Sequence, residues 1–112
     1  MTRQRIELGI AGEFTTKPGP RYRKDGDFSG QQFLEELLLP RFEEAVRSEA
    51  VLEVNLDGVA GYPTSFLEEA FGGLARKFDQ HRVDSTLKFI CNDEPYQDEE
   101  IRRYIRQART PR

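Results

Sequence analysis

The stretch 51–78, VLEVNLDGVAGYPTSFLEEAFGGLARKF, leaves the chain few ways to fold. Val51, Leu52, Val54 and Leu56 make a short apolar run of strand length, closed by Asp57-Gly58. Gly61 and Pro63 then mark a tight polar corner with two adjacent hydroxyls, Thr64 and Ser65. Beyond the corner, Phe66, Leu67, Ala70, Phe71, Leu74 and Phe78 fall on one side of a helical wheel. A buried strand followed by an amphipathic helix must lay that helix on its sheet, which makes the chain an α/β protein. The corner is where a site is expected, because a helix N-terminus offers unpaired amides and a partial positive charge.

The flanking segments extend this pattern. Residues 5–13 alternate Ile6, Leu8 and Ile10 with polar neighbours, as a half-buried strand does, and TTKPGP at 15–20 is dense in turn formers. A short return strand at 21–23 would complete an N-terminal hairpin over 4–23. Ser29 and Gln32 have capping-box spacing at the start of a helix carrying Phe33, Leu34, Leu37, Leu38, Phe42, Ala45 and Val46. Pro40 inside it predicts a kink or two abutting helices ending near Glu49. Residues 83–91 read as a third core strand. A last helix over 96–109 has Ile101, Tyr104, Ile105 and Ala108 as its apolar stripe. Its acidic first turn and arginine-rich end complement the helix dipole.

Helical crossovers between core strands imply parallel pairing, and the hairpin would make the sheet mixed. The expected architecture is a mixed sheet of about four or five strands with about three helices mainly on one face. One domain over 1–112 is expected, with its core at 28–92.

Composition narrows the function classes. The chain has 112 residues, enough for one core. A net charge of −3 excludes a strongly basic nucleic-acid binder. No apolar run reaches the ~20 residues of a membrane span, and the start MTRQRIELGI lacks a signal-peptide core. With a single cysteine, Cys91, the expected compartment is the cytoplasm.

Ser65 and Glu68 again have capping-box spacing, so Ser65 reads either as an N-cap or, with Thr64, as a phosphoacceptor. Gly72 points away from the apolar face and Gly73 lies on its flank. Each costs about 1 kcal/mol relative to Ala in a helix interior. A closely approaching partner would explain Gly72, as would a tolerated surface position or a helix distortion. The expected docking surface is therefore Asp57, Gly61 and Tyr62 in the corner, with Glu69, Gly72, Gly73 and Arg76 on the helix.

Other constellations lead nowhere. His81 is the only histidine and lies in a polar link, and Cys91 has no identifiable base. The acidic residues Asp93, Glu94, Asp98, Glu99 and Glu100 lack EF-hand spacing and read as helix capping. KPGPRYRK at 17–24 reads as an exposed basic loop. No catalytic residue, metal or cofactor is expected.

With LEVNLDGVAGYPTSFLEEAFGGL at its centre, the order of elements resembles the STAS domain (sulphate transporter and anti-sigma-factor antagonist). It looks more closely like the bacterial STAS-like family of unknown function. The matching residues are Asp57, Ser65-Phe66, Glu68-Glu69, Ala70-Phe71-Gly72 and Gly73-Leu74, with FSGQQFLEELLLP before them. The resemblance implies a domain that works by binding another protein. In anti-sigma-factor antagonists, a serine at the start of the second helix is phosphorylated by a histidine-kinase-like ATPase, which switches binding off. By position that serine is Ser65, with Thr64 beside it. Pro63 and Phe66 depart from the Asp and Gly usual around the two hydroxyls.

The expected function is thus a non-catalytic regulatory interaction domain, partner or substrate of such an ATPase. The competing expectation is a small-molecule or nucleotide-binding domain using the second-helix N-terminus as an anion site. An exposed apolar edge would support a homodimer.

Overall fold

The computed structural model describes residues 4–108. Three strands, β1 (Arg5–Gly9), β2 (Val51–Asn55) and β3 (Leu87–Ile90), form one sheet in the order β1-β2-β3. Both pairings are parallel, with Leu8 opposite Val54 and Val54 opposite Phe89. Five helices accompany them: α1 (Ile10–Glu13), α2 (30–47), α3 (64–77), α4 (Gln80–Thr86) and α5 (Gln97–Gln107).

Alternation along the strands turns Leu8, Leu52, Val54, Leu87 and Phe89 into the core. Arg5, Glu7, Asn55 and Lys88 stay exposed. With sequential strand order, right-handed crossovers place α2 and α3 on the same face. α3 is the middle helix, packed against α2 on one side and α5 on the other. Its face Phe66, Leu67, Ala70, Phe71 and Leu74 is buried, as the wheel predicts.

The N-terminal hairpin does not form, and the sheet is parallel throughout rather than mixed. After β1 the chain turns at once into α1, because Ile10 is fully buried and the Glu13 carboxylate accepts the Gly9 N–H at 3.0 Å. Pro20 and Arg21 instead serve the start of α2: the Gly30 and Gln31 amides donate to their carbonyls, both at 2.9 Å. A single 3₁₀ turn, Arg23–Asp25, follows them.

Ser29 caps α2 as expected, its Oγ accepting from the Gln32 amide at 3.0 Å. The Gln32 side chain reaches one residue further back, to the Phe28 N–H at 3.1 Å. Pro40 neither breaks the helix nor splits it. A π-helical segment, Leu34–Leu38, precedes Leu39–Arg47, and the wider turn accommodates the proline ring and its missing N–H. The helix ends with Glu49 in the left-handed region (φ 55). There the Glu49 and Ala50 amides close back onto the Val46 and Ala45 carbonyls.

The third strand is shorter than 83–91, since 80–86 is helical. Asp79 caps that helix by accepting from the His81 amide at 3.1 Å, and Val83 and Thr86 face the core one turn apart.

Candidate functional site

The corner sits at the C-terminal ends of the strands, where open parallel sheets bring their connecting loops together. Three loops meet there. The Ala60 amide donates to the Thr16 carbonyl at 3.0 Å, tying the loop after β2 to the loop after α1. The Asp57 carboxylate accepts from the Asp93 amide at 2.9 Å and from Asn92 Nδ2 at 3.0 Å. Asp93 returns the contact by accepting from the Gly58 amide at 3.0 Å. Gly58 has φ 84, a conformation that favours glycine, and a Cβ there would lie 3.3 Å from Ala11.

Tyr62 is the strut beneath. Its hydroxyl donates to the Leu56 carbonyl at 2.9 Å, and its ring packs against Phe66. Burial pushes its phenol pKa well above the ordinary range, and the negative charges of Asp57, Asp93 and Glu94 push it further. Behind it, Phe14, Phe33, Phe66 and Phe71 form a continuous aromatic cluster reaching Phe89.

α3 begins at Thr64 with Pro63 as its N-cap residue, and no side chain caps it. The Ser65–Glu68 capping box therefore does not form. Ser65 lies inside the first turn, half-buried, and the Glu68 carboxylate is drawn elsewhere. Glu68 bonds Arg76 at 2.9 Å and also Arg21, which reaches Glu69 at 3.4 Å. Burial alone would raise the Glu68 pKa, but hydrogen bonds and charge from Arg76 and Arg21 outweigh it and hold it below the ordinary value. Thr64 is exposed and near Tyr104, whose hydroxyl donates to Glu100 at 2.9 Å.

Gly72 and Gly73 are buried rather than outward-facing. A Cβ on Gly72 would lie 2.6 Å from Glu68 Oε2 and 3.4 Å from an Arg76 nitrogen, so the ion pair closes over it. A Cβ on Gly73 would lie 2.7 Å from a Leu34 methyl, and one on Gly30 only 2.6 Å from the Phe66 carbonyl oxygen. The close crossing of α2 and α3 explains Gly30 and Gly73, whereas Gly72 lies under the Glu68–Arg76 ion pair of its own helix, and Glu69 is paired with Arg21. Gly61 is the opposite case: it is exposed, and a Cβ there would meet nothing within 4 Å.

The structure thus brings Asp57, Tyr62, Thr64 and Ser65 to one exposed end and separates them from Gly72, Gly73 and Arg76 further along α3. Sequence reasoning missed Asp93, which it had grouped with the acidic residues capping α5. Asp93 serves the corner, whereas Glu94 stays with the start of α5, its carboxylate accepting from the Tyr96 hydroxyl at 2.7 Å and from Gln97 Nε2 at 3.1 Å. It also missed Arg21, whose basic loop is consumed by Glu68 and Glu69. The charge of Arg23 is likewise met by Glu35 and Glu36.

Cys91 is half-buried, its thiol 3.7 Å from the Pro95 carbonyl and pushed up in pKa, first of all by burial. Among the described residues, no group of three or more His, Cys, Asp or Glu side chains is placed to hold a metal ion. No helix among them is long and apolar enough to cross a membrane.

No curated protein and no solved structure matches the chain. A family model, the STAS-like domain of unknown function (DUF4325), matches residues 29–97, from the Ser29 cap of α2 to the start of α5. That span is more than half of the chain and includes the corner, the α2–α3 crossing and the Asp57–Asp93 contacts. This chain belongs to the family of STAS-like domains of unknown function.

Proposed function

We propose that this chain is a non-catalytic regulatory module of the cytoplasm that docks a protein partner, a histidine-kinase-like ATPase, through the corner 57–65. One observation carries the reading. Gly61 is exposed at the tip of the corner and has no packing reason of its own to be glycine. A surface that another backbone approaches closely supplies one. The corner is also braced from two sides by the Asp57–Asp93 contacts and the Tyr62 strut, so it is preorganised and loses little entropy on binding.

Thr64 and Ser65 stand in the first turn of α3, beside this surface. A phosphate on Thr64 would face Glu100 through Tyr104, and like-charge repulsion would disturb the cluster. Phosphorylation here is therefore read as a switch that weakens docking. Glu69 contributes as a flank of the surface through its ion pair with Arg21 rather than as a free charge, while Arg76 acts from further along α3 by holding Glu68. The competing anion-site reading is disfavoured by Asp57, Asp93 and Glu94, whose negative charge surrounds Tyr62 close to the same helix start.

The test is to incubate the protein with ATP and each histidine-kinase-like ATPase of the same genome, and to read the intact mass. One added phosphate that maps to Ser65 or Thr64 and disappears in the double Ala variant supports the switch. An unchanged mass together with identical ATPase binding by wild type and Ser65→Asp removes it.

A further inference from the structure

The β1 edge of the sheet carries an arrangement that the docking reading does not use. Even-numbered residues of β1 face β2, as shown by the Val51 amide donating to the Gln4 carbonyl at 2.8 Å. The Glu7 carbonyl and the Gly9 amide therefore point outward from the edge. In a parallel ladder, one residue of a neighbouring strand takes up such a pair, donating to the carbonyl before Leu8 and accepting from the amide after it. Here Arg41 Nη1 donates to the Glu7 carbonyl at 2.8 Å, and Glu13 Oε2 accepts from the Gly9 amide at 3.0 Å. The two atoms lie 3.4 Å apart, and a second Arg41–Glu13 contact joins the side chains. An ion pair from α1 and α2 thus occupies the place of one residue of a fourth strand.

The opposite edge is treated in the same way. Arg102 Nη2, from α5, donates to the Leu87 carbonyl of β3 at 3.0 Å, while its guanidinium lies over the Phe89 ring. Arg102 is also held by Asp84 and Asp98, both at 2.7 Å. Arg41 is bonded by one carboxylate, Glu13, with only the charge of Glu44 besides, so β1 is the edge more readily opened. Exposed edges with unpaired groups template pairing with another chain.

We propose that the Glu13–Arg41 pair is a surrogate strand residue that keeps the β1 edge closed to a second copy of this chain. The second copy is favoured because the edge is self-complementary. An antiparallel β1–β1 pairing centred on Leu8 sets Glu7 opposite Gly9 of the other copy, so no like charges lie directly opposite each other and the two Glu7 side chains are only diagonal neighbours.

Sedimentation velocity of the full chain from micromolar to millimolar concentration tests this. Wild type sediments as a monomer, and Glu13→Ala/Arg41→Ala shows a doubled mass and new amide-exchange protection at Glu7. Adding Glu7→Pro, which removes the outward amide of an edge strand, restores the monomer. Arg23→Ala, which breaks an ion pair away from this edge, leaves the mass unchanged. If the double variant is unfolded by circular dichroism, Arg41→Gln is read in its place. A folded variant that stays monomeric, a dimer indifferent to Glu7→Pro, or a wild type already paired through this edge overturns the proposal.

Discussion

Asp57 and Asp93 each accept a hydrogen bond from the main chain beside the other, Asp57 from the Asp93 amide and Asp93 from the Gly58 amide. Two carboxylates that would repel in open water are thereby placed back to back, each satisfied by an N–H of the opposite loop. This pairing joins the ends of β2 and β3 and holds the corner that precedes α3.

Asp57→Ala removes two acceptor contacts at once, to the Asp93 amide and to Asn92. The expected loss is about 1–2 kcal/mol, read from urea unfolding. The Asp93 and Gly58 amides should exchange faster with solvent by more than this global loss accounts for.

Gly30, Gly73 and Gly72 should respond to alanine in a fixed order. Gly30→Ala drives a methyl into the Phe66 main chain, which cannot yield locally, and should cost about 3 kcal/mol or more. Gly73→Ala meets only the end of the Leu34 side chain and should cost less. Gly72→Ala displaces the flexible Glu68 carboxylate and gains helix propensity worth about 1 kcal/mol, so it should be neutral or stabilising. Melting temperatures of the three variants check the order.

Acid should weaken the fold through Glu13 and Glu68. Glu13 is held below its ordinary 4.5 chiefly by its hydrogen bond to Arg41, against an opposing effect of burial. In Glu68, burial pushes upward but Arg76 and Arg21 prevail. Both folded values lie below the unfolded ones. The stability they contribute is therefore complete above about pH 4.5 and lost as pH falls through the folded values. Glu13→Gln/Glu68→Gln should be destabilised at neutral pH and show a shallower acid decline than wild type.

Tyr62→Phe keeps the ring against Phe66 but leaves the Leu56 carbonyl without its donor. A loss of about 1 kcal/mol is expected, without change in the circular dichroism spectrum. In a spectrophotometric titration, Tyr62 should remain protonated after the ordinary phenol range is passed.

The strand–corner–helix core was legible because its signals are local. Apolar periodicity marks β2 and the buried face of α3, and the Ser29 cap announces α2. What was not legible depends on contacts across the chain. Ser65 and Glu68 have the right spacing for a capping box, yet Arg21, 47 residues earlier, competes for the same carboxylate. Gly72 looks outward on an isolated wheel, and the Glu68–Arg76 pair closes over it. The alternation of Ile6, Leu8 and Ile10 suits either a hairpin or a parallel edge. The buried Ile10 and the Gly9–Glu13 contact decide that choice, and neither has a signature in sequence. Asp93 was likewise assigned to the nearest helix, when its partner is Gly58.

The most direct test of the docking corner is a calorimetric titration of the proposed partner, a histidine-kinase-like ATPase of the same genome, into wild type, Gly61→Trp and Ser65→Asp, with melting temperatures measured in parallel. Wild type should bind, and both variants should bind at least about tenfold more weakly, a difference of about 1.4 kcal/mol, while melting with wild type. Equal affinity for all three proteins, or no binding by wild type, would contradict the account.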